Sequence, residues 1–249
     1  MNKLTNHVLK YHDIIKDLLQ RVITEEIINI ERASDLIVES FLRGGLLYVF
    51  GTGHSMLMSL ELFHRAGGLV RVYPLIDLSL LGVNGALKAS YLERLTGYAR
   101  ALLASINIIP GSVMLIISNS GKNAGPVEMA YEALRRGMKI IAVTSIEYSK
   151  KLPPDNSLGK KLYELADVVI DNKVPEGDAV VEIEGLDTKI APVSTIVNAF
   201  ILNSIVIRVV EKSIERGIEP EVWMSSNIPG GIERNEKYRE KYINIIKPL

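Results

Sequence analysis

The 249-residue chain balances 29 Lys and Arg against 29 Asp and Glu, for a formal net charge of zero, and carries no basic run interleaved with aromatics, so nucleic acid is a poor partner. It has no cysteine and four histidines, none in an H-x-x-x-H pair; disulfides, thiolate catalysis and zinc-finger sites are excluded, and no metal or cofactor is implied. No run of about eighteen apolar residues reads as a membrane span, and Met1 to Asn6 leads into a charged amphipathic segment rather than a signal peptide, so the chain reads as soluble and cytoplasmic.

In chain order, Ile14, Leu18, Ile23, Ile27 and Ile30 recur near helical spacing and predict helix over residues 6–43, in two pieces, ended by Gly44-Gly45. Short β-branched or aliphatic runs then alternate with helical stretches. Strands are expected at 46–50, 69–73, 112–117, 138–143 and 167–171, and helices at 54–66, 90–105, 124–136 and 158–165. A long apolar helix follows from Ser194 to Arg216, and then a turn-rich tail, Ser225-Ser226-Asn227-Ile228-Pro229-Gly230-Gly231, with charged residues from Glu233 to Lys241. The alternation predicts an α/β fold: a three-layer αβα domain with a five-stranded parallel, flavodoxin-like sheet plus N- and C-terminal helices. One domain spanning 1–249 is the economical reading, with a helical extension over about 1–43 and a tail over about 218–249.

Three loops at strand ends carry the functional signal. Gly51-Thr52-Gly53-His54-Ser55 follows the first strand, Ser118-Asn119-Ser120-Gly121 the third, and Thr144-Ser145 the fourth. The first two open into helical patterns, where unsatisfied amides and the helix dipole favour an anion, phosphate above all. In a flavodoxin-like strand order the first and third strands are neighbours at the switch point, which brings both loops to one crevice. Gly53, Ser55, Ser118, Asn119, Ser120, Gly121, Asn123, Thr144 and Ser145 are the expected phosphate and sugar contacts. The alternative for the serines and Asn123 is ordinary helix capping, which phosphate binding does not exclude. A dinucleotide fingerprint lacks its third glycine, since Met56 stands there, and no Gly-Lys-Ser/Thr is present for a Walker loop. Lys122 is either an outward charge or a cation beside the phosphate. His64 fits a helix end, and His7 and His12 a surface. Ser226 and Asn227 belong to a polar, glycine-rich motif suited to a lid, an arm onto a partner subunit, or a plain loop.

With these motifs on one chain, the sequence resembles the sugar isomerase (SIS) domain family. That family pairs a first-strand G-x-G-x-S loop, here Gly51 to Ser55, with an S-x-S-G loop, here Ser118 to Gly121. The flanks Glu61-Leu62-Phe63-His64-Arg65-Ala66-Gly67-Gly68-Leu69 and Ala142-Val143-Thr144-Ser145 also look alike, and the likeness runs over roughly residues 30–215. It is nearest to a stand-alone SIS subgroup that shares the Asn-rich tail. Lys122 departs from many isomerases, in which an acidic residue follows S-x-S-G. The resemblance implies phosphosugar binding and a homodimer or higher homo-oligomer with sites near subunit interfaces. It does not fix one reaction, because members include aldose–ketose isomerases, a lyase and ligand-sensing regulators.

An isomerisation requires a base that moves a proton between adjacent carbons. Glu93, in the segment before the S-x-S-G strand where SIS proteins commonly carry a sugar-reaching acid, is the expected base. His54, at a helix start beside the predicted phosphate, is expected to assist. The leading expectation is thus a phosphosugar isomerase or a related carbonyl-adjacent lyase. The alternative is a non-catalytic phosphosugar sensor acting through a protein partner.

Overall fold

The computed structural model describes residues 6–249. A single helix, α1 (Asn6–Leu42), opens the chain. The expected break into two pieces is absent, because no glycine or proline lies between its ends and its buried stripe of Leu18, Val22, Ile30, Ala33 and Ile37 stays in phase throughout. It ends at the Gly44-Gly45 pair, where the Gly45 amide returns to the Ser40 carbonyl at 2.9 Å.

Five parallel strands follow: β1 (Leu47–Gly51), β2 (Val72–Pro74), β3 (Val113–Ile117), β4 (Lys139–Thr144) and β5 (Val168–Asp171), in the order β2-β1-β3-β4-β5. This is the expected α/β sheet, with helices on both faces. Side chains alternate along each strand and sort into two cores. Leu47, Val49, Leu115, Ile117, Ile141 and Val143 meet α1, α2 (Leu57–Leu62) and α8 (Ser194–Glu215). Tyr48, Phe50, Met114, Ile116, Ile140 and Ala142 meet α5 (Tyr98–Ala104), α6 (Ala124–Arg135) and α9 (Gly231–Tyr242). By length and hydropathy α8 could cross a membrane; here its Val197, Ile201, Ile205 and Val209 are buried in the first core.

Three expected helices come out differently. The segment 54–66 is a 3₁₀ turn, Gly53–Met56, followed by the short α2. The segment 90–105 is split at Gly97 into α4 (Ala86–Leu92) and α5, after a one-turn α3 (Leu78–Leu81). The cause of the split is tertiary: the Gly97 amide donates to the Glu128 carboxylate of α6 at 2.7 Å instead of continuing a helix. At 158–165 only a 3₁₀ turn, Leu162–Glu164, forms. Two elements add to the expected set: α7 (Ile146–Lys151), and a small antiparallel ribbon of β6 (Ala179–Val181) and β7 (Ile190–Pro192).

The charged tail is an outer layer of the second core. Val222 bridges Leu69 antiparallel, beside the sheet edge, and Trp223, Tyr238 and Tyr242 are buried. Glu221 receives Arg71, Lys241 and the Tyr242 hydroxyl, the latter two at 2.7 and 2.6 Å. Burial raises its proton affinity, but these donors outweigh burial and hold its carboxyl below the ordinary range. A depressed carboxylate contributes stability above its unfolded pKa and loses it as the pH falls through the folded value. Glu221→Gln is therefore expected to cost about 1–3 kcal/mol in urea denaturation at neutral pH, with a smaller difference from the parent in acid.

Candidate functional site

The β1–β3 register pairs Leu47 with Val113 and Gly51 with Ile117, so both loops leave the sheet at the same height. In the first loop, Ser55 sits half-buried in the 3₁₀ turn with His54 exposed beside it. In the second, the Ser118 hydroxyl accepts from the Gly121 amide at 3.2 Å, a turn inside the loop rather than a helix cap, since α6 begins at Ala124 with no side-chain cap on its first turn. Among the described residues, the Ser55 and Ser120 hydroxyls and the amides of Ser120, Lys122 and Asn123 have no partner within the chain. These are the donors free to meet an anion at the start of α6.

Asn119 is held from three sides. Its carbonyl accepts from the Thr144 hydroxyl at 3.1 Å and the Ser145 amide at 3.0 Å. Its side-chain oxygen accepts from Asn172 at 2.8 Å, and Asn172 also donates to Asn198 of α8 at 2.8 Å. Thr144 and Ser145 are buried, and the Ser145 hydroxyl donates to the Val174 carbonyl at 2.6 Å. Both hydroxyls are thus engaged within the protein and shape the loop.

Glu93 arrives from the end of α4. The Asn123 amide group donates to its carboxylate at 2.8 Å, and its carbonyl accepts from the Gly125 amide at 2.8 Å. That close approach favours glycine at 125: a Cβ there would stand 3.3 Å from both the Glu93 carbonyl and the Thr52 methyl, and one of them would have to give by a few tenths of an ångström. Asn123, expected at the phosphate, therefore turns its side chain to Glu93 instead, with its own buried oxygen unpartnered. Glu93, His54 and Gly53 line one wall of a cleft of about 480 Å³ whose other walls are Leu57, Leu80, Leu81, Val83, Ala86 and Ala89. The Ser118–Gly121 loop lies outside that wall, joined to it through Asn123 and Glu93. The Ser226–Asn227 turn is elsewhere: it borders a separate cavity of about 250 Å³ with His64, Arg65 and Trp223. Lys122 pairs with Asp155 at 3.0 Å, a bond that holds the Asp155 carboxyl below the ordinary range. No group of three or more potential metal ligands occurs among the described residues.

Sequence reasoning missed Asn172, Asn198, Gly125 and Lys161. Asn172, directly after β5 at the carboxyl ends of the strands, had a positional signal. Lys161, 4% exposed behind Gly121, had none, since it follows Lys160 and reads as surface.

The SIS domain family model matches residues 10–145. A UPF0309 protein of Geobacillus kaustophilus is 37% identical over 233 residues, covering 94% of this chain and 93% of that one. Among solved structures, the phosphoheptose isomerase GmhA of Neisseria gonorrhoeae is similar with a TM-score of 0.54 at 15% identity, over 86% of this chain and 100% of that one. A phosphoheptose isomerase of Francisella tularensis gives 0.55 at 16%, over 85% and 100%. At such identities these two structures establish the common fold.

Removing Asn172 leaves two oxygens, on half-buried Asn119 and buried Asn198, without their donor. Asn172→Ala is expected to lower stability by about 2 kcal/mol in urea denaturation.

Proposed function

The chain belongs to the SIS domain family, and from that premise we propose that it binds a phosphorylated sugar and interconverts its aldose and ketose forms. The observation that carries the reading is the convergence at the β1 and β3 ends. The free Ser55 hydroxyl follows the β1 end, the free Ser120 hydroxyl and amide follow the adjacent β3 end, and Asn123 at the start of α6 holds the Glu93 carboxylate. The phosphate meets Ser55, Ser120 and the amides at the start of α6. Ser118, Thr144 and Ser145 fix the loop, and Asn119 faces the ligand from a position clamped by Asn172. The isomerase class is taken from the fold neighbours, which are phosphoheptose isomerases.

In the reaction, Glu93 takes the proton from the carbon next to the carbonyl and returns it to the adjacent carbon. His54 moves the proton between the hydroxyl and carbonyl oxygens, so that an aldose becomes a ketose with no net proton change. Holding the phosphate end orients the sugar carbons toward Glu93. A panel of aldose and ketose phosphates, including amino sugars, tests this in deuterated water. Ser120→Ala is expected to weaken binding with little change in melting temperature. Glu93→Gln is expected to bind as the parent does while α-carbon hydrogen exchange falls by roughly two to four orders of magnitude. A parent that binds but exchanges no hydrogen would make the protein a sensor.

The same reading includes a homodimer or larger assembly. Leu87 and Tyr91 of α4, with Val83 before it and Leu95 after it, are exposed apolar residues beside the cleft, and Ile23, Ile27 and Ile28 are exposed on α1, more uncovered apolar surface than a lone domain keeps. Sedimentation at micromolar concentration is expected to show a species heavier than the 27.6 kDa chain; a 27.6 kDa species alone would remove the assembly.

A further inference from the structure

Behind the Ser118–Gly121 loop lies a charge that the reading above does not use. Lys161 is 4% exposed, and its ammonium makes one hydrogen bond, to the Ser149 carbonyl at 2.6 Å. No carboxylate comes within salt-bridge distance of it among the described residues, whereas Lys122, the next cation, pairs with Asp155. A buried ammonium without a counter-charge is costly. The surroundings add to the imbalance: burial first, and then the like charge of Lys122, depress its proton affinity, against a weaker opposing pull from Glu164. The Ser149 hydroxyl beside it is also buried without a partner.

The neighbours of this ammonium, Leu162 and Ser149, pack directly on the loop. The Leu162 amide donates to the Gly121 carbonyl at 2.8 Å. A Cβ on Gly121 would meet Leu162 and the Thr144 hydroxyl at 3.1 Å and the Ser149 hydroxyl at 3.5 Å. The back of the loop is thus built from the residues around this ammonium, and its front carries the free amides.

We infer that Lys161 is the built-in counter-charge for the ligand's phosphate, acting through the loop from behind Gly121 and setting a preference for doubly charged phosphate over neutral groups. The inference rests on the phosphosugar reading of the loop. It makes Lys161 a positioning residue that does not touch the ligand, one that destabilises the empty protein and favours the occupied one.

Those two effects have opposite signs, which a merely structural lysine would not produce. The probe is inorganic phosphate, titrated calorimetrically at fixed ionic strength into the full chain, with melting temperature read in its absence. Lys161→Met is expected to bind phosphate about tenfold more weakly while melting no lower than the parent when empty. Lys161→Arg, which keeps the charge, is expected to stay within about threefold of the parent. If the Met variant does not fold, Lys161→Gln is measured instead, with the same loss expected. Parent-like phosphate affinity in the uncharged variant, alongside a loss in Ser120→Ala, would overturn the role of Lys161 and leave the loop reading standing. Failure of the parent to bind inorganic phosphate or any sugar phosphate would overturn both.

Discussion

The parallel pairing of β1 with β3 is the constraint on which the site depends. Adjacent strands lie about 4.8 Å apart, so the Gly51–Ile117 pairing releases the two small-residue loops next to each other, each running into a helix start. Had β2 lain between β1 and β3, in sequence order, the loops would stand roughly 10 Å apart, too far for one phosphate to engage both. The crossover of β2 to the other side of β1 is what brings the two turns to neighbouring strand ends. The alternation of the same strands buries both faces, so the loops rest on a sheet held rigid from two sides.

Glu93 reaches the cleft beside the first of these loops by a different route. It stands at the end of α4, in a segment whose helices are interrupted, and nothing local fixes its direction. Its position comes from α6: Gly125 receives its carbonyl at contact distance, Asn123 binds its carboxylate, and Glu128 caps the Gly97 break just after it. The start of α6 therefore carries the unpartnered Asn123 amide and holds the Glu93 carboxylate through the Asn123 side chain, so a shift of α6 would move both.

The sequence made the five strands legible because each is a short apolar run, with β1, β3 and β4 ended by glycine, serine or threonine, and residues buried on both faces have no polar alternation to blur the pattern. The loops after β1 and β3 were legible for the same reason, as small polar residues at strand ends. The continuous α1 was misread as two pieces from an imperfect period, although it holds no glycine or proline. The 90–105 segment was misread as one helix because the bond that breaks it, Gly97 to Glu128, spans 31 residues. Asn123 was read as a ligand contact, since a residue at a helix start caps or binds anions by default; its partner Glu93 lies 30 residues away.

By itself, then, the sequence determined the strand runs, the α/β class, the small-residue loops at strand ends and the absence of cysteine chemistry, because these follow from local composition and short-range periodicity. Only the tertiary structure decided which hydroxyls stay free and which are spent. Ser145 and Thr144 are bonded inward, Asn119 is clamped by Asn172, whose other bond runs to Asn198, and the Ser226–Asn227 turn belongs to a cavity of its own. The same holds for Lys161, one lysine in a charged stretch by sequence and an unpaired buried ammonium in the fold. The physical reason is common to all of them: whether a polar group is available depends on which distant donor or acceptor packs against it, and that is set by strand order and helix placement.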